Sequence, residues 1–355
     1  MPASKPPSAE VSLGTVAHAI IGSTFKRADR FRDAILQSDP KTLDPEHIHQ
    51  MRVSLRQLRS GLQIFRPHLC LAKAAQEPAV KAFAQSLGIV RDLDILQDQL
   101  KTHYLPTLPT SEQHHLQKML RQLGHKRTRS LNTLYHRLRS DRYQQLKRAY
   151  RTWLKSPQFS NAANTANTAH LSFAFLAPDI VLTSLSQWLQ HPGWFVATIA
   201  EGGIYTPTLE LNLAELRAQE REFHALRKGI KQLRYQLTLL SPFLEETAAT
   251  SVTEIVTPLK EFQDLLGQLQ DLAVIRSVVE AFLKRKRLPP ETLQTCLQQL
   301  DQAYLALWQQ WQPLQAQYLS PTFRFELRQQ VARLGLEALS PEALILEGTL
   351  TPLTQ

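Results

Sequence analysis

Apolar residues recur at helical spacing along most of the chain. Between Val11 and Leu36, the positions Val16, Ile20, Phe31 and Ile35 mark one face of a helix, and Asp39-Pro40 ends the run. Asp44-Pro45-Glu46 then supplies an N-cap, a proline at the first helical position and an acid in the first turn. The helix it starts should run to Arg66, because Pro67 has no N–H to continue the ladder. The same periodicity predicts helices over roughly 78–103, 112–154, 209–241, 252–287 and 290–319. Extended alternation is almost absent, so the predicted fold class is all-α. Residues 1–10 are rich in Pro and Ser and read as a disordered N-terminus. Residues 156–170 are rich in Ser, Asn, Ala and Thr, lack periodicity and read as a linker. Leu171–Thr206 is the least regular stretch, and His191-Pro192-Gly193-Trp194 within it reads as a turn.

Sliding the chain on itself exposes a duplication. His49–Leu69 aligns with His224–Leu244 at an offset of 175, with eight of 21 positions identical, among them His49/His224, Arg52/Arg227, Gln57/Gln232, Arg59/Arg234 and Pro67/Pro242. A basic residue is also kept at Arg56/Lys231. A second block aligns at offset 179: Lys81, Phe83, Leu87, Gly88, Asp92 and Leu93 match Lys260, Phe262, Leu266, Gly267, Asp271 and Leu272. Two blocks in the same order describe a repeated helical unit of about four helices.

On a helical wheel His49, Arg52, Arg56 and Arg59 fall within about 80° of one another, with Gln63 and Arg66 extending the stripe. Met51, Leu55, Leu58, Leu62 and Phe65 form the apolar face. In the second copy His224, Arg227, Lys231 and Arg234 form the stripe, Lys228 and Tyr235 lie beside it, and Leu226, Ile230, Leu233, Leu237 and Leu240 form the core face. Like charges one turn apart cost a helix a few tenths of a kcal/mol per pair, and neither stripe contains an acid. Such a row can be a solvated face. Its recurrence in one register, each time opening with His, favours a polyanion held by guanidinium forks.

The overall balance agrees. Lys and Arg number 41 against 31 Asp and Glu, a net charge of +10. Only 12 glycines argue against glycine-rich phosphate loops. Residues 118–151 hold eleven basic residues against Asp141, of which Arg121, Lys126 and Arg129 are placed near the stripes. Lys284-Arg285-Lys286-Arg287 reads as a solvated helix end. Asp92 and Asp271 are expected to pair with a neighbouring Arg, Gly88 and Gly267 to let helices approach closely, and Lys81 and Lys260 to reach the same anion. Cys70 and Cys296 read as two buried thiols in a reducing cytoplasm. No secretory signal and no apolar run long enough to span a membrane is visible, so a cytoplasmic protein is expected. Metal-ligand spacing, a P-loop, HExxH, GxSxG and a Cys/His nucleophile pair are all missing, so no metal, cofactor or catalysis is expected.

The segments His49-Gln50-Met51-Arg52-Val53-Ser54-Leu55-Arg56-Gln57-Leu58-Arg59 and His224–Tyr235, with the Leu87-Gly88…Arg91-Asp92 block, resemble the CHAD family, the conserved histidine α-helical domain. The resemblance covers roughly residues 11–320. It implies two four-helix bundles related by a pseudo-two-fold axis, with the basic helices lining a shared central channel. It also implies binding of inorganic polyphosphate and association with polyphosphate granules. The expected organisation is a first bundle over 11–155, a linker over 156–175, a second bundle over 176–320 and a C-terminal tail over 321–355. The stripe residues of both copies, with Lys81, Lys260 and Arg91, would bind the anion; Gln270 stands where Arg91 would recur. No β-rich acidic domain is seen of the kind that gives some family members triphosphatase activity. The rival expectations are a nucleic-acid binder using the 118–151 helices and a metal-dependent phosphohydrolase.

Overall fold

A computed structural model describes residues 11–159, 168–208, 210, 212–244 and 246–337. The N-terminal segment 1–10, the centre of the expected linker and the chain beyond 337 lie outside the described residues. The helices are α1 (Leu13–Gln37), α2 (Pro45–Ile64), α3 (Glu77–Gln99), α4 (Thr110–Arg139), α5 (Asp141–Lys155), α6 (Phe173–Leu189), α7 (Leu213–Ala218), α8 (Glu220–Leu240), α9 (Glu246–Lys286), α10 (Gln294–Leu319) and α11 (Pro321–Glu337). The all-α expectation holds, apart from one two-stranded ribbon, β1 (Thr198–Glu201) with β2 (Ile204–Pro207).

Local chemistry sets the boundaries. Asp44 caps α2 by accepting the Glu46 N–H at 2.8 Å, as the Asp-Pro-Glu signal predicts. The single helix expected over 112–154 is two helices, because Ser140 takes extended backbone (ψ 156°). The Ser140-Asp141 pair starts a helix as readily as it ends one. The helix expected from 209 is likewise split at Gln219 into α7 and α8. The ribbon turns through Gly202 and Gly203, both at positive φ (57° and 81°), the geometry a two-residue hairpin needs. The tail expected from 321 begins instead with α11, packed against α6 and α9. Cys296 is buried as expected, but Cys70 is exposed, in a loop whose backbone N–H reaches Gln158.

Three apolar clusters hold these helices. One gathers α1, α2, α3, α5 and the end of α4 around Phe25, Tyr143 and Tyr150. A second joins the start of α1 to α6, α8, α9, α10 and α11. At its centre Trp194, from the His191-Pro192-Gly193-Trp194 turn, stacks on Trp311 and Tyr318 with ring centroids 5.4 and 5.2 Å away. The third is shared between the halves: Leu93, Leu96, Leu116 and Met119 of α3 and α4 meet Ile275, Val279, Phe282 and Leu297 of α9 and α10. Glu112 of α4 reinforces this seam by accepting the backbone N–H groups of Thr295 and Cys296 at 2.9 and 3.1 Å. Among the described residues no helix is long and apolar enough to cross a membrane.

Candidate functional site

The two His-led helices, α2 and α8, pack against each other. Their apolar faces are spent on separate cores, with Met51, Leu55 and Leu58 in one and Leu226, Ile230 and Leu233 in the other. The basic stripes beside those faces are thereby brought into one region. Tyr235 marks the meeting point. This buried ring takes the Arg56 guanidinium of α2 at 5.5 Å from its centroid and Arg234 of its own helix at 5.0 Å.

Lys231 is half-buried in the same region. Burial, and then Arg227, Arg56 and Arg52, push its ammonium down to about 7, with Asp271 opposing. A lysine of the second copy thus feels two arginines of the first. The histidines are affected in the same direction. His49 is held below its ordinary value mainly by burial, with Arg91, Arg56 and Arg52 adding to it and Glu46 opposing. His224 is lowered by burial, Lys228 and Arg227, against a hydrogen bond with Gln270. The Nε groups of Arg56, Arg91 and Arg227 are buried and find no acceptor in the protein.

Neighbouring helices orient the arginines, and the two copies do this differently. On α3, Asp92 pairs with Arg52 at 3.3 Å, and Glu77 holds Arg59 through Nε and Nη2, both at 2.6 Å. On α9, Gln263 accepts the Arg234 Nε at 3.0 Å and Gln270 serves His224. Asp92 therefore pairs as expected. Asp271 acts on Arg227 over a longer distance and is hydrogen-bonded with Gln99; burial raises its carboxyl. The repeated glycines do not serve close helix packing, as expected from sequence, but make room for guanidinium groups. A Cβ added at Gly88 would overlap Nη1 of Arg52, and one at Gly267 would approach Nη2 of Arg227 to 3.2 Å.

The remaining candidates divide. Lys228 is exposed beside His224, and Arg91 acts on His49. Lys81 and Lys260 are exposed, two turns before the glycines on the same helix face, about 10 Å along the axis toward Arg59 and Arg234. Gln63 and Arg66 line a cavity of about 420 Å³ together with Glu77. Arg121 is exposed on α4. Lys126 and Arg129 do not join the stripes; they line a separate cavity between α4 and the end of α9. From their helix it is Arg127 that turns to α3, bonding Asp94 at 2.5 Å. Sequence reasoning missed Glu77 and Gln263, and read Gln270 only as the residue standing where Arg91 would recur. For Glu77 the available signal was an acid beside Pro78 in a helix's first turn.

A description of the CHAD domain matches residues 26–280 of the chain. Two solved structures share its fold. The CHAD domain from the plant Ricinus communis is 19% identical, with 91% of this chain and 93% of that one covered and a TM-score of 0.56. PptA from Streptomyces chartreusis is 15% identical, with 90% and 100% covered and a TM-score of 0.56. No curated protein matches the sequence.

Proposed function

The chain belongs to the CHAD domain family, and on that premise we propose that it binds inorganic polyphosphate without turning it over, in a channel bounded by both basic stripes. The observation that supports this most is the crowding of Arg52, Arg56, Arg227 and Lys231, from two sequence-distant helices, around one partly desolvated place. Like charges so placed repel, and burial sharpens the repulsion. A linear anion charged on every unit removes it, and it supplies acceptors for the unpartnered Nε groups of Arg56, Arg91 and Arg227. In a cell that stores polyphosphate in granules, this binding would carry the protein to them.

A binding isotherm with long-chain polyphosphate at several salt concentrations tests the proposal. Counterion release makes log affinity fall linearly and steeply with log salt. An affinity nearly indifferent to salt would overturn it. So would single-stranded RNA competing on equal terms, or release of phosphate on adding Mg²⁺ or Mn²⁺, which favour the nucleic-acid and phosphohydrolase alternatives respectively.

A further inference from the structure

The basic run of α4 and the cluster at the end of α9 lie far apart in sequence, and the stripes use neither. The fold sets them face to face. A cavity of about 400 Å³ lies between the two helices, lined by His125, Lys126 and Arg129 on one side and Arg285 and Lys286 on the other. Met119, Leu123 and Phe282 of the shared core close its floor. Arg285 reaches across to Gln122 of α4, so one guanidinium is already fixed over the gap. No acid lines the cavity, and no carboxylate among the described residues lies within ion-pair distance of Lys126, Arg129, Arg285 or Lys286. Arg127, one residue away, shows that this stretch of α4 can be neutralised: it has Asp94.

A solvated helix end explains Arg285 and Lys286 taken alone, because cations suit a helix C-terminus. It does not explain why mid-helix cations of another segment converge on them without a counter-charge. We infer that this cavity is a second polyanion site, which takes the continuation of a polyphosphate chain whose other part lies on the stripes. The inference rests on the function proposed above. Arg127 ties α4 to α3 one turn from Arg91, so the cavity lies within about two helix diameters, ~20 Å, of the His49 end of the stripe. A long chain spans both sites; tripolyphosphate occupies one.

The test compares the fourfold variant Lys126→Gln/Arg129→Gln/Arg285→Gln/Lys286→Gln with a fourfold control on α5, Arg142→Gln/Arg148→Gln/Arg151→Gln/Lys155→Gln, which removes equal charge elsewhere. With long-chain polyphosphate the cavity variant should bind roughly tenfold more weakly or worse, through lost multivalency. Its log–log salt slope should be shallower by about 3, since each lost phosphate contact removes about 0.7–0.9. With tripolyphosphate both variants should match the wild type. Long-chain affinity and slope equal to the control's would overturn the second site while leaving the stripes intact. Wild-type protein that binds neither ligand would overturn the stripes and this site together. Weakened single-stranded RNA binding with unchanged polyphosphate binding would assign the cavity to nucleic acid and equally overturn the inference.

Discussion

The two copies of the repeat share a scaffold but carry different counter-charges. In the first, carboxylates from α3 already hold the arginines: Asp92 on Arg52 and Glu77 on Arg59. In the second, neutral amides from α9 do that work: Gln263 on Arg234 and Gln270 beside His224. The acid nearest the second stripe, Asp271, is itself raised by burial. On the proposed function, an arriving anion would compete with direct carboxylate pairs in the first copy, and in the second with amides and the more distant Asp271. Arg56 and Arg91 keep unpartnered Nε groups in the first copy too, but the crowding acts most on α8, where Lys231 is pushed down to about 7. On the proposed function, one helix pair would act as an oriented, partly neutralised wall and the other as the stronger attractor.

Charge reversal should break this contrast most visibly. Arg227→Glu/Lys231→Glu should weaken polyphosphate binding by about a hundredfold or more, since each charge-assisted contact is worth about 1.5–3 kcal/mol. Arg52→Glu/Arg56→Glu should also weaken it, but less, because Asp92 already offsets Arg52 in the free protein. Both variants should stay helical, as the changes lie off the apolar faces. Calorimetric titration gives affinity and stoichiometry together. Halved stoichiometry at unchanged affinity in either variant would mean two independent sites rather than one shared channel. Equal losses would remove the asymmetry.

The glycines give a smaller and more selective effect. Gly88→Ala forces the Arg52 guanidinium to move, whereas Gly267→Ala leaves Arg227 a tight but tolerable contact. In a helix interior Ala is favoured over Gly by up to about 1 kcal/mol. Gly88→Ala should therefore bind about tenfold more weakly, one charge-assisted contact's worth, without losing helicity. Gly267→Ala should change binding little. Indistinguishable isotherms for the two variants would show that the guanidinium of Arg52 does not need its present place.

Much of this was legible from residue spacing. A stripe at period 3.6, repeated in register, determines which side chains share a face, and the structure keeps Met51, Leu55, Leu58 and Leu62 in one core and Leu226, Ile230, Leu233, Leu237 and Leu240 in the other; Phe65, beyond the end of α2, joins the second core instead of the first, and Arg66 falls in a separate 3-10 segment. Spacing is silent on what a face looks at. Lys126 and Arg129 share a face that meets α9, not the stripes, and only the packing of the shared core around Met119 and Phe282 decides that. Glu77 reaches Arg59 only after the chain has turned through two short 3-10 segments, Arg66–His68 and Lys73–Ala75. The ribbon left a signal in Ile199 to Tyr205, apolar residues flanking Gly202-Gly203, but strands of four residues are too short to show alternation. Ser140 likewise carried a cap signal inside an unbroken apolar period.

The smallest expected effect separates the copies by proton uptake. An anion raises the pKa of each cationic group it touches, so binding takes up protons and strengthens as pH falls. Each group contributes only between its free and its bound value. Lys231 titrates at about 7 in the free protein, so its share lies above that pH. His49 and His224 are depressed below 6.5 in the free protein, so their share reaches lower. Affinity should then rise as pH falls from about 9 to 7 through Lys231, and go on rising below about 7 through the histidines. Lys231→Met should flatten the upper limb. It should also raise the melting temperature of the free protein, most of all below pH 7. The unfolded lysine titrates near 10.5 and binds its proton more readily than the folded one, a deficit that grows as pH falls to about 7 and is constant below it. On the lower limb, His224→Ala should flatten the slope more than His49→Ala, because Glu46 already supports the His49 imidazolium while His224 has only the neutral Gln270. Affinity measured at constant ionic strength from pH 5.5 to 9 reads all three variants. A wild-type curve flat above pH 7 would remove Lys231 from the anion's contacts, and equal lower limbs for the two histidine variants would mean that the amide-for-carboxylate exchange between the copies leaves proton uptake untouched.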